Sequence, residues 1–345
     1  MRLRARVVDA PLDAPLRAGA APRALILLEI EDADGVVGHG EAAPLPEYDG
    51  VSVDDVLSAV ATHASELATY ELPTISDAWA ACAAVNPLPQ ALAGVDLALW
   101  DLAGRRAGSS VSALLGLPDP PPVAVNATIG AVAPVAAAEE AVAARDAGFG
   151  CIKVKVGTPD DRQRLKAVRE AVGPGMLIRV DANGAWDRLT APERLRALAR
   201  FDIELFEEPV HGADAIGAVA RENPKLALAL DESAGAVLGS HAPRLCDAVC
   251  LKISGSGGIT GLLGEAKRAR ELGYEVYIAS TLDGPLGIAA ALHAAAAVRP
   301  DRHCGLATLG RFGRPVPETL MPAGGLMRMP AGPGLGDGLI GWYRE

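Results

Sequence analysis

From residue 123 onward, short apolar runs alternate with longer stretches whose apolar residues recur at steps of three and four. Short β-branched runs predict strands, and the three-four spacing predicts helices packed on one face. Strands are expected at 123–129, 151–156, 177–181, 203–207, 227–231, 247–252, 275–279 and 303–307. Helices are expected between them at 134–147, 160–172, 190–200, 213–222, 234–240, 258–272 and 285–298. Seven strand–helix units and an eighth strand imply an α/β fold, a (β/α)7β barrel of the TIM type rather than an open sheet.

The first part of the chain follows another rule. Strand-like runs at 2–9, 24–31 and 36–41 precede helical patterns at 53–70, 76–84 and 88–107. Asp34-Gly35 between two apolar runs predicts a hairpin. Residues 1–120 are therefore expected to form an α+β capping domain, with Asp119-Pro-Pro-Pro122 as the hinge. The barrel would occupy 121–312, and the Pro- and Gly-rich segment 313–345 would return to the capping domain. Loops 10–22 and 42–50 are expected over the barrel mouth, with Tyr48 the side chain to watch.

Composition narrows the partners. A net charge of −11, from 32 basic and 43 acidic residues without a basic cluster, argues against nucleic acid. No apolar run is long enough to span a bilayer; the Ala-rich stretch 286–298 is interrupted by His293. A cytoplasmic protein acting on a small molecule is the expectation. The five cysteines show no metal-type spacing and read as small core residues, Cys246 and Cys250 included.

The chemistry is carried by the strand ends. Lys153 and Lys155 stand two residues apart on one strand, so both point to the same face. Asp181, Glu207, Asp231 and Lys252 follow at steps of 26, 26, 24 and 21 residues from Lys155, about one strand plus one helix each. Strands three, four and five are neighbours in a barrel, so the three carboxylates can meet at one point, where they need a cation. Oxygen ligands without His or Cys favour a hard ion, Mg²⁺ first and Mn²⁺ second. Lys252 faces Lys153 and Lys155 across the barrel. A second ammonium and a nearby Mg²⁺ would both push a lysine toward the pKa of a base. The matching substrate is a carboxylate anion that loses its α-proton. Asn183 is a further candidate for substrate or a metal-bound water, as is Ser254 at the opening of a helix whose N–H groups could hold a carboxylate. Glu232 is a candidate to orient a lysine.

These motifs (Lys153-Val-Lys155, Val180-Asp181-Ala-Asn183, Phe206-Glu207-Glu208-Pro209, Leu230-Asp231-Glu232-Ser233 and Leu251-Lys252) resemble those of the enolase superfamily, in its muconate-lactonizing-enzyme-like branch. The resemblance implies Asp181, Glu207 and Asp231 as metal ligands, Lys155 as the α-proton base modulated by Lys153, and Lys252 as the opposite lysine. Gly38-His-Gly40-Glu41, Ser280-Thr-Leu-Asp283 and Gly305-Leu-Ala-Thr308 are further similar to the o-succinylbenzoate synthase family, a group of menaquinone-pathway dehydratases, and add Ser280 and Asp283 as substrate contacts. N-succinylamino acid racemases and dipeptide epimerases share the same machinery. The strand-eight stretch 303–310 lacks the acids that hold a dipeptide's ammonium. Cycloisomerisation of a muconate is a third reaction, and a metal-binding scaffold without catalysis is the reading from another class; it would show a lost lysine or carboxylate, and none is lost. Homo-oligomers are common in the superfamily, so self-association is an expectation of the resemblance.

Overall fold

The computed structural model describes residues 1–13, 22–68, 74–239 and 243–344. Most of the loop expected over 10–22, and the last residues of the helices expected over 53–70 and 234–240, lie outside the described residues.

Strands β1 (Arg2–Ala10), β2 (Arg23–Glu31) and β3 (Val37–Ala42) form an antiparallel sheet in that order. Asp32 makes the β2–β3 turn, its Oδ1 accepting from the N–H groups of Asp34 and Val36 at 2.9 Å, with Gly35 at φ 80°. The central strand β2 is apolar on both faces, for a reason that period two explains. Leu25 and Leu27 join the barrel's core, while Ile26, Leu28 and Ile30 pack under the capping helices. Those helices are α1 (Pro46–Asp49), α2 (Val53–Leu67), α3 (Ile75–Val85), α4 (Pro89–Ala107) and α5 (Val111–Leu114). Capping boxes Ser52–Asp55 and Thr74–Asp77 start α2 and α3. Helix α4 lies directly on β3, and Gly38 and Gly40 allow it: a Cβ there would fall 2.3 Å from the Ala98 carbonyl and 2.1 Å from that of Gly94.

The second part runs β4 (Val123–Ala124), β5 (Ala127–Ile129), α6 (Pro134–Asp146), β6 (Cys151–Lys155), α7 (Asp161–Val172), β7 (Leu177–Asp181), α8 (Ala191–Ala199) and β8 (Ile203–Glu207). It continues through α9 (Ala213–Glu222), β9 (Leu228–Leu230), α10 (Ala234–Leu238), β10 (Ala248–Lys252), α11 (Gly258–Glu271), β11 (Glu275–Ala279), α12 (Pro285–Val298) and β12 (Leu326–Met327). Strands β5 to β11 form a parallel sheet in sequence order, the right pattern for a barrel wall. The strand expected at 303–307 is reduced to two bridges, Val125–Cys304 and Ala279–Gly305, which join both edges of the sheet. The strand expected at 123–129 is split at Asn126. Its first part, β4, leaves the barrel to pair antiparallel with β12 from the tail.

The C-terminal segment also reaches the capping unit. The Leu335 N–H donates to Asp101 Oδ1 at 2.8 Å, and Arg6 Nη2 donates to the Tyr343 carbonyl at 2.9 Å.

Candidate active site

Six charged side chains meet at the C-terminal end of the barrel. Lys153 and Lys155 come from β6, Asp181 from β7, Glu207 from β8, Asp231 from the residue after β9, and Lys252 from β10. Register sets Lys155 beside Asp181 and Asp181 beside Glu207. Strands β6 and β10 are four places apart in the sheet order, so their lysines enter from opposite walls. A cavity of about 350 Å³ opens above them.

The lysines hold the carboxylates in two groups, one around Asp181 and Glu207 and one at Asp231. Lys153 Nζ lies 2.9 Å from Glu207 Oε1 and 3.0 Å from Asp181 Oδ2. Lys155 Nζ donates to Asp181 Oδ2 at 2.5 Å and to Asn183 Oδ1 at 2.6 Å. Lys252 Nζ pairs with Asp231 Oδ1 at 2.5 Å and stands 4.9 Å from the centre of the Tyr48 ring, a cation–π arrangement. Burial would raise the Asp181 carboxyl, but the two β6 ammoniums outweigh it and hold Asp181 below its usual range. Glu207 is raised, burial outweighing Lys153.

Lys153 and Lys252 are held as cations. Burial pulls Lys153 and Lys252 down, yet Asp181 and Glu207 around the first and Asp231 beside the second raise both above the ordinary lysine value. For these two lysines the field of the neighbouring carboxylates exceeds the lowering by burial.

The three carboxylates expected to hold a metal stand at the ends of neighbouring strands, each facing a lysine. Among the described residues, the group of potential ligands whose atoms all lie within 4.8 Å of one another is Glu207, Asp231 and Cys250; Asp181 is turned to the two lysines. The carboxylates still fit a hard divalent ion. Glu207 Oε2 is buried without a hydrogen-bond partner, which is costly for an anion unless a cation completes it.

Around this centre the backbone is bent to aim side chains. Asn183, Glu208 and Leu282 adopt positive φ values of 43°, 39° and 61° in the turns that edge the site. Glu208 turns away from Glu207 and braces the Asp231 turn, accepting from the Asp231 N–H at 2.8 Å and from the Ser233 hydroxyl. Burial pushes its carboxyl up to about 8. Glu232 acts on Lys155 at one remove: Asn183 Nδ2 donates to Glu232 Oε1 at 2.8 Å, and Asn183 Oδ1 accepts from the lysine.

Tyr48, Asn183 and Ser280 line the cavity. Ser254 and Asp283, expected as substrate contacts, do not. The Ser254 hydroxyl is buried and directed at the Ala43 carbonyl, 3.4 Å away, and Asp283 accepts from the Thr281 N–H at 3.1 Å within its own turn. The helix opening expected to hold a substrate carboxylate holds the chain's own: Thr260 N and Oγ1 donate to Asp96 at 3.0 and 2.5 Å. Lining residues that the sequence did not single out include Glu47, Thr128, His211 and Arg311. Arg311 Nη2 donates to the Thr128 carbonyl at 2.8 Å, which keeps its guanidinium at the cavity edge.

Comparison with known proteins accords with this geometry. Residues 136–339 match the family described as enolase C-terminal domain-like, and 5–116 match the mandelate racemase/muconate lactonizing enzyme N-terminal domain. The chain belongs to the enolase superfamily, in its muconate-lactonizing-enzyme-like branch. A hydrophobic dipeptide epimerase of Enterococcus faecalis is 32% identical over 301 residues, 84% of either chain. An o-succinylbenzoate synthase of Thermobifida fusca is 35% identical over 230 residues, 63% of this chain and 70% of that one. The crystal structure of a dipeptide epimerase from Cytophaga hutchinsonii, complexed with Mg and the dipeptide D-Ala-L-Val, superposes with a TM-score of 0.85 at 26% identity, covering 99% of this chain and 97% of that one. Relatives thus fall on both sides of the divide between epimerases and lyases.

Proposed function

We propose that this protein removes the proton α to a substrate carboxylate with the help of a divalent ion, and that its reaction is the syn dehydration that forms o-succinylbenzoate. Asp181, Glu207 and Asp231 are the side chains that would hold Mg²⁺, with Mn²⁺ as second choice. Mg²⁺ held there would bind the substrate carboxylate and offset the negative charge that develops as the α-proton leaves. Lys155 takes that proton at Nζ. Its side chain is 20% exposed to the cavity, against 10% for Lys153, which two carboxylates keep charged in place. Lys155 then returns the proton to the departing hydroxyl: the α C–H and β C–O bonds break, a ring double bond forms and water leaves. Lys252, fixed by Asp231 and Tyr48, stands as a cation on the other wall.

One observation carries the choice of substrate. The wall built by Ser280, Thr281, Leu282, Gly305, Thr308 and Arg311 contains hydroxyls and a guanidinium but no carboxylate. A dipeptide's ammonium would find no counter-charge on these two loops, since the cavity's carboxylates beyond the metal set, Glu47 and Glu232, come from α1 and the turn after β9. A succinyl carboxylate would meet Arg311. The opposed lysines support a second reading, racemisation of an N-succinylamino acid, because a two-base proton transfer needs a base on each face. Proton NMR in D₂O with Mg²⁺ separates the two, with the cyclohexadiene precursor and an N-succinylamino acid run in parallel. Rapid aromatisation of the first with slow α-deuteration of the second is expected; the reverse would make the protein a racemase. Activity on neither would refute both.

A further inference from the structure

Cys250 and Lys252 stand two residues apart on β10, so both face the barrel interior. Lys252 reaches the cavity. Cys250 lies one layer deeper, 2% exposed, with its Sγ 4.0 Å from Lys252 Nζ. Its neighbours in that layer are apolar, Leu205, Ala229, Tyr277 and Ala279 among them. Above it, ligand atoms of Glu207, Asp231 and Cys250 all fall within 4.8 Å of one another. Donors about 2.0–2.3 Å from a shared tetrahedral ion stand about 3.3–3.8 Å apart, so small side-chain shifts would bring the three onto one ion. A separate observation points the same way: Glu207, 1% exposed, keeps Oε2 buried without a hydrogen-bond partner.

We propose that Glu207, Asp231 and Cys250 form a second, thiolate-containing coordination set at the floor of the cavity, one that captures a thiophilic divalent ion such as Zn²⁺ or Cd²⁺. Thiolate ligands select softer ions than Mg²⁺, which takes oxygen. On binding, the sulfur–metal bond replaces the S–H bond, the proton goes to solvent, and no redox change occurs. The inference touches the proposed function only through Glu207 and Asp231, which both sets need. A thiophilic ion seated there would exclude Mg²⁺, so zinc would act as a competitive poison of the Mg²⁺-dependent reaction.

The test uses the full chain stripped with a chelator and titrated with Cd²⁺, following the ultraviolet thiolate-to-cadmium charge-transfer band. All five cysteines are buried; among the described residues Cys250 is the one grouped with two carboxylates, while Cys151 meets Glu204 at 3.7 Å. The band is expected to saturate at one ion per chain. It should vanish in C250S, with affinity lower by at least about ten-fold, the lower end of what losing even an outer-shell partner costs. It should persist in C246S, whose thiol faces the Ala248 carbonyl at 3.6 Å. C250A serves if C250S does not fold. Absence of the band in the wild type, or its survival in both Cys250 variants, overturns the proposal. Mg²⁺ added to the cadmium complex keeps the two ideas apart. A Cys250-dependent band that Mg²⁺ fails to weaken leaves the thiolate set standing and removes the shared Mg²⁺ site. No band, with Mg²⁺-dependent α-proton exchange intact, removes the thiolate set alone.

Discussion

Lys155 and Lys252 approach the cavity from opposite walls, each clasped by a different carboxylate, so their roles can be separated one substitution at a time. Lys155→Met should lower α-proton exchange by about 10²–10⁴-fold, the usual contribution of a positioned general base, while calorimetric Mg²⁺ binding persists. Turnover that survives this change would remove Lys155 from the role of base. Lys252→Met discriminates the reactions. In a dehydratase it slows aromatisation, whereas in a racemase it leaves α-deuteration of one enantiomer and abolishes that of the other. Arg311→Met should raise KM for a succinyl substrate by about ten-fold, the worth of one charge-assisted hydrogen bond, and leave an N-acetyl analogue unaffected. The six charged residues were legible in the chain because each ends an apolar run and the runs recur at barrel spacing. Arg311 was not, since it follows the last strand in a short 3₁₀ turn, Leu309–Arg311, where no periodicity says which way a side chain points. Cys250 reads as core and is core, 2% exposed. What the chain does not show is that the closed barrel brings Glu207 and Asp231 within reach of its thiol.

At the scale of elements, what periodicity could not foresee is where one part of the chain satisfies another. The start of α11 reads as a free anion site, yet α4 fills it with Asp96, whose carboxyl is buried and pushed up to about 7 by that burial. Gly258 makes the contact possible. Its φ is +92°, and a Cβ there would lie 2.5 Å from Asp96 Oδ2. Gly258→Ala should therefore destabilise the protein by about 3 kcal/mol, combining left-handed strain with overpacking, and urea denaturation would read it as a lower midpoint. A change within about 0.5 kcal/mol would mean that α4 and α11 can separate without cost. The same logic explains the eighth strand. Its run at 303–307 is apolar enough to be noticed, but the two residues that bridge to β11 and to Val125 are too few for a ladder. The barrel strands from β6 to β11, by contrast, were readable because each is buried on both faces and bounded by turn residues.

At the scale of the whole molecule, the capping sheet, the barrel and the C-terminal segment meet at one carboxyl. Glu41 on β3 accepts from the Gly284 N–H, at the start of α12, at 2.7 Å, and from the Tyr343 hydroxyl. The Tyr343 oxygen in turn accepts from the Leu286 N–H at 2.9 Å. Asp283 and Arg23 are the other charged groups facing this point. Burial, reinforced by Asp283, pushes the Glu41 carboxyl from 4.5 up to about 7. The folded protein therefore keeps a proton that the unfolded chain gives up above its own, lower value. That contribution to stability is complete below about pH 4.5 and is lost as pH rises through about 7, at no more than about 1.4 kcal/mol per pH unit. Buried His293, pushed from 6.5 down to about 4, works in the opposite sense over part of the same window, so the wild-type curve alone mixes the two. A comparison with Glu41→Gln isolates the carboxyl, because Gln stands in for its protonated form at every pH. Relative to wild type, the variant should gain stability steadily between about pH 5 and pH 7.5, read as a widening difference in urea midpoints. A difference that stays flat across that range would mean that Glu41 is ionised throughout. Arg23 would then be its effective partner, and the junction would be held by an ion pair rather than by a shared proton with Tyr343.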